Sequence, residues 1–173
     1  MKSIFTFILL VLVFQGFAQH SSTYVVDLRT SRATVTDADG MSFTIGRNSM
    51  SDHPDGVFIK RDGRELVFAD STKVLGRMSR KNNREFVLYD GRVFSLLPKN
   101  TECQRIEYKV DGYIVASATF SFKTRRQVIV ELTTENPDLA PVLLFSTLSH
   151  IRSMQSTEAE NIINIFTMSL IMM

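Results

Sequence analysis

Asp52-His53-Pro54-Asp55 is the one local cluster of metal-ligand and acid–base residue types in the sequence. Two carboxylates beside an imidazole are the raw material of hydrolytic chemistry. The imidazole exchanges a proton near neutral pH, and a carboxylate orients it or holds a cation. A divalent metal would need a third or fourth convergent ligand, and this spacing matches no established metal pattern. Asp, Pro and the following Gly56 are also ordinary turn residues. Asp52, His53 and Asp55 are therefore weak metal candidates and the seat of one alternative function, a hydrolase.

Other chemistry is sparse. His20 lies beside the expected mature terminus, and His150 sits near the end of an expected helix, where an imidazolium would suit the helix dipole. Asp37-Ala38-Asp39-Gly40 matches part of a calcium loop but lacks the acid that Val35 replaces and the closing Glu, so it reads as a hairpin turn. There is no Gly-x-Ser-x-Gly elbow, Ser-x-x-Lys, His-Glu-x-x-His, Walker loop or dinucleotide fingerprint. Cys103 is the single cysteine; it has no disulfide partner within the chain and forms no recognisable pair with His53 or His150. No catalytic residue and no cofactor follow from the sequence, which leans away from an enzyme.

The charges point elsewhere. The chain has 20 Lys and Arg against 18 Asp and Glu, a balance that gives no reason to expect a nucleic-acid partner. Basic residues nevertheless crowd the middle (Lys60, Arg61, Arg64, Arg77, Arg80, Lys81, Arg84, Lys123, Arg125, Arg126), while acids gather toward the end. Solvated strand ends explain this pattern most simply. Its functional reading is a surface for an anionic lipid or glycan headgroup, with Arg77, Arg80 and Arg84 as the candidate residues.

The elements that must position these side chains lie beyond a leader. Met1-Lys2-Ser3, an apolar run from Ile4 to Phe14 and the small residues Gly16 and Ala18 form a signal-peptide pattern over 1–18, with cleavage before Gln19. The run is shorter than the roughly 20 residues of a spanning helix, and no cysteine directly follows it to carry a lipid. The expected product is secreted or periplasmic. About 155 residues then remain, enough for one domain.

Residues 19–134 read as an antiparallel β-domain. Asp-Gly recurs at Asp39-Gly40, Asp62-Gly63, Asp90-Gly91 and Asp111-Gly112, each flanked by β-branched, aromatic or apolar residues. A two-residue type I′ turn needs positive φ at both central positions, which Asp tolerates and Gly takes freely. In that register Val35 faces Thr44, Ile59 faces Leu66, Val87 faces Phe94, and Val110 faces Tyr113 with Tyr108 opposite Val115. Further strands are expected at Tyr24–Arg29, Lys73–Ser79 and Gln127–Thr133, about eleven in all, with a loop over Arg47–Gly56.

Residues 135–173 change character but belong to the same domain. Asp138 is the expected N-cap of a helix with Pro141 in its first turn. The run Val142-Leu143-Leu144-Phe145 is apolar all round, as in a helix inserted into a core. A polar break at Gln155-Ser156 and a capping box of Thr157 and Glu160 predict a second apolar helix. Its Asn161, Asn164, Thr167 and Ser169 argue against a lipid-facing span, though C-terminal membrane association is a rival. The fold class is mainly β with C-terminal helices: an antiparallel, hairpin-built barrel or sandwich packed on an apolar helix.

Short antiparallel strands ending in Pro141-Val142-Leu143-Leu144-Phe145-Ser146-Thr147-Leu148-Ser149 give a layout that resembles the tubby-like architecture of tubby domains, LURP-one-related proteins and scramblases. The resemblance covers 23–153 and rests on layout, with no motif matched residue by residue. It implies a closed barrel of about twelve strands around a hydrophobic helix, and a phosphoinositide or lipid association. The export signal and the second helix depart from it. A lipocalin-like barrel competes, but the apolar run fits a filled barrel better than a ligand cup. Together these readings favour an exported, non-enzymatic binding or interaction domain. The alternatives are the hydrolase or an envelope-assembly component, with an envelope protein as partner, held by its C-terminal helix.

Overall fold

The computed structural model describes residues 19–29, 31–63, 65–79, 85–87, 93–99, 104–110 and 112–171, with side chains left undescribed at 85–87, 93–99 and 157–171. The expected leader, Cys103, Arg80, Arg84 and the Asp90-Gly91 turn lie outside them. Twelve strands are followed by one helix: β1 (His20–Leu28), β2 (Arg32–Thr36), β3 (Ser42–Gly46), β4 (Met50–Ser51), β5 (Phe58–Asp62), β6 (Glu65–Ala69), β7 (Val74–Ser79), β8 (Glu85–Val87), β9 (Val93–Lys99), β10 (Arg105–Val110), β11 (Tyr113–Phe122), β12 (Gln127–Thr134) and α1 (Ala140–Ile171).

All pairings are antiparallel, in the order β4-β3-β2-β1-β12-β11-β10-β9-β8-β7-β6-β5. Neighbours in sequence are thus neighbours in space, except where β12 returns to lie beside β1. The strands alternate as a half-covered sheet requires. In β12, Val128, Val130, Leu132 and Thr134 are buried while Gln127 and Glu131 are exposed. In β2 and β3, Ala33, Val35, Phe43 and Ile45 point inward. Bulges after Tyr108 and Phe68 bend and twist the sheet. The edge strands β4 and β5 touch, but no ladder joins them among the described residues, so the sheet curls into a sandwich-like, unclosed shape.

The turns set register differently from a uniform two-residue loop. Val35 pairs with Phe43 rather than Thr44, because Asp37 accepts the Asp39 and Met41 N–H groups through Oδ1 and only Gly40 takes positive φ (80°). That is the three-residue loop with a glycine bulge. Ile59 pairs with Phe68, since Asp62 pairs with Glu65 as the last residue of β5 and the turn moves on to Gly63. Val87 pairs with Val93 instead of Phe94. Val110 pairs with Tyr113 as expected, but the bulge sets Tyr108 against Ala116. In the loop of 47–56, Met50–Ser51 forms a short edge strand on β3. Leu66–Ala69 of β6 are all buried, whereas Phe58, Lys60 and Arg61 of edge strand β5 are exposed.

The helix is the core. Every residue from Pro141 to Leu148 is buried, which only a helix surrounded on all sides achieves. Its contacts come from around the sheet. Phe145 packs edge-on against Phe68 of β6 with ring centroids 5.3 Å apart. The hydroxyl of Tyr108, on β10, lies 3.0 Å from the Leu143 carbonyl and 2.8 Å from Thr147 Oγ1. Arg152 donates to the carbonyls of Ile45 and Gly46 on β3. The start is capped by Asn136 rather than Asp138: its side chain accepts the Asp138 N–H at the head of a 3-10 turn over Pro137–Leu139. Asp138 instead pairs with Lys73 beside β7. The expected second helix is absent as a separate element, for α1 runs unbroken through Gln155 and Ser156. No glycine or proline follows Pro141, so nothing interrupts the i→i−4 ladder there.

Candidate functional site

His53 is not a solvent-facing ligand. Its side chain is only 8% exposed and packs edge-on to Phe43, with centroids 4.6 Å apart. Nδ1 accepts the Asp55 backbone N–H at 3.2 Å, and the Gly56 N–H returns to the His53 carbonyl. Asp52 and Gly56 both take positive φ, 61° and 67°. The cluster is a folded turn whose imidazole plugs against the sheet. Burial lowers the His53 pKa, against the opposing pull of the Asp55 and Asp37 carboxylates, so the ring is neutral at pH 7. No group of three or more His, Cys, Asp or Glu converges as a metal would need among the described residues.

Arg77 is also engaged: its Nη1 reaches Asp62 at 3.3 Å and Glu65 at 3.2 Å. Its charge is locally balanced by those two acids. Arg80 and Arg84 lie outside the described residues.

Strand pairing assembles a different surface. The β1–β2 turn presents Arg29 and Arg32, and the β3–β4 turn presents Arg47. The β11–β12 turn presents Lys123, Arg125 and Arg126; all these residues are exposed. The three turns are neighbours, because the Leu28 N–H donates to the Arg126 carbonyl at 2.7 Å and Arg32 pairs with Gly46. Arg29 has an acidic partner, Asp27 at 3.5 Å. No ion pair engages Arg32, Arg47, Lys123, Arg125 or Arg126 among the described residues. This crescent of largely uncompensated cations surrounds the point where α1 leaves the sheet. There Gln155 donates to the Arg125 carbonyl at 3.3 Å. Arg152 beside it has no carboxylate partner among the described residues, and burial pushes its pKa down.

The opposite end carries acids. Asp37 and Asp39 occupy the β2–β3 turn, Asp70 the β6–β7 turn, and Glu135 and Asp138 the approach to α1. Among the described residues, acids predominate where the helix begins and cations where it emerges. The fields of clustered like charges add, and only close opposite charges cancel them. A net charge near zero therefore conceals the basic pole.

The sequence showed Lys123, Arg125 and Arg126 as part of a basic middle but gave no sign that Arg29, Arg32 and Arg47 join them. The available signal was that each borders a strand end, and pairing those ends in space requires the β1–β12 return. No family model, curated protein or solved structure matches this chain.

Proposed function

We propose that this protein is an exported, non-enzymatic binding domain whose basic pole engages an anionic headgroup, of a lipid or a glycan. The observation that carries the reading is the crescent of Arg32, Arg47, Lys123, Arg125 and Arg126. These are exposed cations without acidic partners among the described residues, gathered from three turns of which the β11–β12 turn is distant in sequence from the other two. Each basic side chain close to an anionic bilayer contributes about 1 kcal/mol. Removing three of them should therefore cost about 3 kcal/mol, on the order of 100-fold in affinity. Export rests on the leader pattern of residues 1–18. Kinship with tubby-like proteins belongs to the same proposal, supported by the run of antiparallel strands curled around an apolar helix; the open β4–β5 seam departs from that architecture.

The experiment measures binding of the mature chain to phosphatidylglycerol vesicles, phosphatidylcholine vesicles and a soluble sulfated glycan, each with and without Arg32→Ala/Arg125→Ala/Arg126→Ala. Among the described residues these three side chains make no hydrogen bond; Arg32, Arg125 and Arg126 are tied to the fold through their backbones. The variant should therefore fold normally. Loss of anionic binding supports the reading, and the preferred probe identifies the headgroup source. Equal binding by variant and parent, or equal binding to both vesicle types, refutes it. The hydrolase alternative finds little support in a buried His53 whose Nδ1 already accepts a backbone N–H.

A further inference from the structure

We infer that the ligand of the basic pole is an anionic bilayer, and that the end of α1 enters its interface as a second, apolar contact. This rests on the anion-binding reading and adds the identity of the surface. Three observations meet. First, α1 has 32 residues and is about 48 Å long at 1.5 Å per residue. Among the described side chains the last to bond to the sheet is that of Gln155, and about 24 Å of continuous helix follows it. An unbroken helix cannot turn back on itself. Second, this extension begins inside the cationic crescent, because Arg152 and Gln155 bond to the β3 and β11–β12 turns that bear Arg47 and Arg125. Third, the sequence beyond Glu160 has no charged residue and contains Ile162, Ile163, Ile165, Phe166, Leu170 and Ile171.

A soluble polyanion would satisfy the crescent and leave that apolar stretch unused. An anionic bilayer accommodates both, with headgroups against the cations and the upper acyl region against the isoleucines. No helix of the described residues is long and apolar enough to cross a membrane, and the attachment inferred is interfacial. Such attachment gains from apolar area and from charge together. Asn161, Asn164, Thr167 and Ser169 suit a segment lying at the headgroup boundary, where water remains within reach.

The chain contains no tryptophan, so Phe166→Trp in the full mature protein supplies a single indole reporter; Leu170→Trp serves if the first variant loses its circular-dichroism spectrum. On phosphatidylglycerol vesicles the indole emission should shift to the blue and be quenched by brominated acyl chains. Dextran sulfate should bind and leave the emission unchanged. Co-sedimentation with anionic vesicles without any spectral change would overturn the insertion and leave the basic-pole reading standing. An emission already blue-shifted before lipid is added, and unaltered by it, would also overturn the insertion. Equal blue shifts on anionic and zwitterionic vesicles would overturn the role of charge while retaining the apolar contact. Absence of binding to every probe would overturn both.

Discussion

Tyr108→Phe tests whether the helix is sealed inside the sheet, because it deletes one oxygen at the contact between β10 and α1. Tyr108 is fully buried. Its hydroxyl lies 3.0 Å from the Leu143 carbonyl and 2.8 Å from Thr147 Oγ1. Thr147 Oγ1 independently donates to the same carbonyl at 2.9 Å, so that carbonyl and the Thr147 hydroxyl stay paired after deletion. The loss should therefore be that of an ordinary buried hydrogen bond, about 1–2 kcal/mol. For a domain of this size that corresponds to a fall in Tm of about 2–8 °C near neutral pH. Alkali supplies a second, opposite signature. Burial pushes the Tyr108 phenol up to about 12, although hydrogen bonds to Thr147 and Ser146 pull the other way. The unfolded phenol ionises near 10, so between pH 10 and 12 the unfolded chain releases a proton that the folded one keeps. Stability falls as pH rises through that window, by about 3 kcal/mol for this one group. The phenylalanine variant lacks that loss. Thermal melts followed by circular dichroism from pH 7 to 12 should show the variant less stable at neutral pH and the two curves crossing above pH 10. Parallel curves would mean that the hydroxyl meets water, and would refute the enclosed helix.

Other expectations come from the same contacts. His53 is held neutral by burial, so its folded pKa lies below the ordinary 6.5; the unfolded chain takes up a proton first as pH falls. Stability should decline as pH drops below about 6.5. His53→Gln should flatten that dependence, and an imidazole NMR titration with a midpoint above 6.5 would contradict it. Leu148→Ala removes a fully buried side chain from the helix and should cost about 2–5 kcal/mol in urea unfolding. Vesicle binding by the folded Leu148→Ala variant should be unchanged, and loss of binding at full folding would place part of the contact surface inside the core.

The sequence carried element types well and turn lengths poorly. Alternation at Val128, Val130 and Leu132 marks a half-covered strand, and the all-round apolar run of 142–145 marks a helix enclosed by other elements. Both features are local and arise directly from side-chain period. Asp-Gly marked where the chain reverses, but whether two, three or more residues make the turn depends on side-chain hydrogen bonds. Asp37 shows this: its carboxylate captures two backbone N–H groups and slides the β2–β3 register by one. The bulge after Tyr108 is equally invisible, since no glycine or proline within Arg105–Val110 marks the shift in the β10–β11 pairing. The helix break expected at Gln155-Ser156 fails because polar residues alone do not stop a helix that has no glycine or proline. The basic pole was the least legible feature. Arg32 and Arg47 meet across the β2–β3 hairpin, but Arg126 joins them only through pairing of β1 with β12, a contact of long sequence separation that no local pattern announces.

Those same contacts separate two surfaces that the sequence alone could not rank. One is centred on Arg77, whose guanidinium is already shared by Asp62 and Glu65; the other is centred on the uncompensated crescent. The decisive measurement compares the affinity of residues 19–173 for phosphatidylglycerol vesicles with that of two triple variants, Arg32→Ala/Arg125→Ala/Arg126→Ala and Arg77→Ala/Arg80→Ala/Arg84→Ala, at the same salt concentration. The crescent variant should lose on the order of 100-fold in affinity, and the Arg77 variant should lose far less. Unchanged binding by the crescent variant, with loss confined to the Arg77 variant, would contradict the placement of the binding face at the end where the helix emerges.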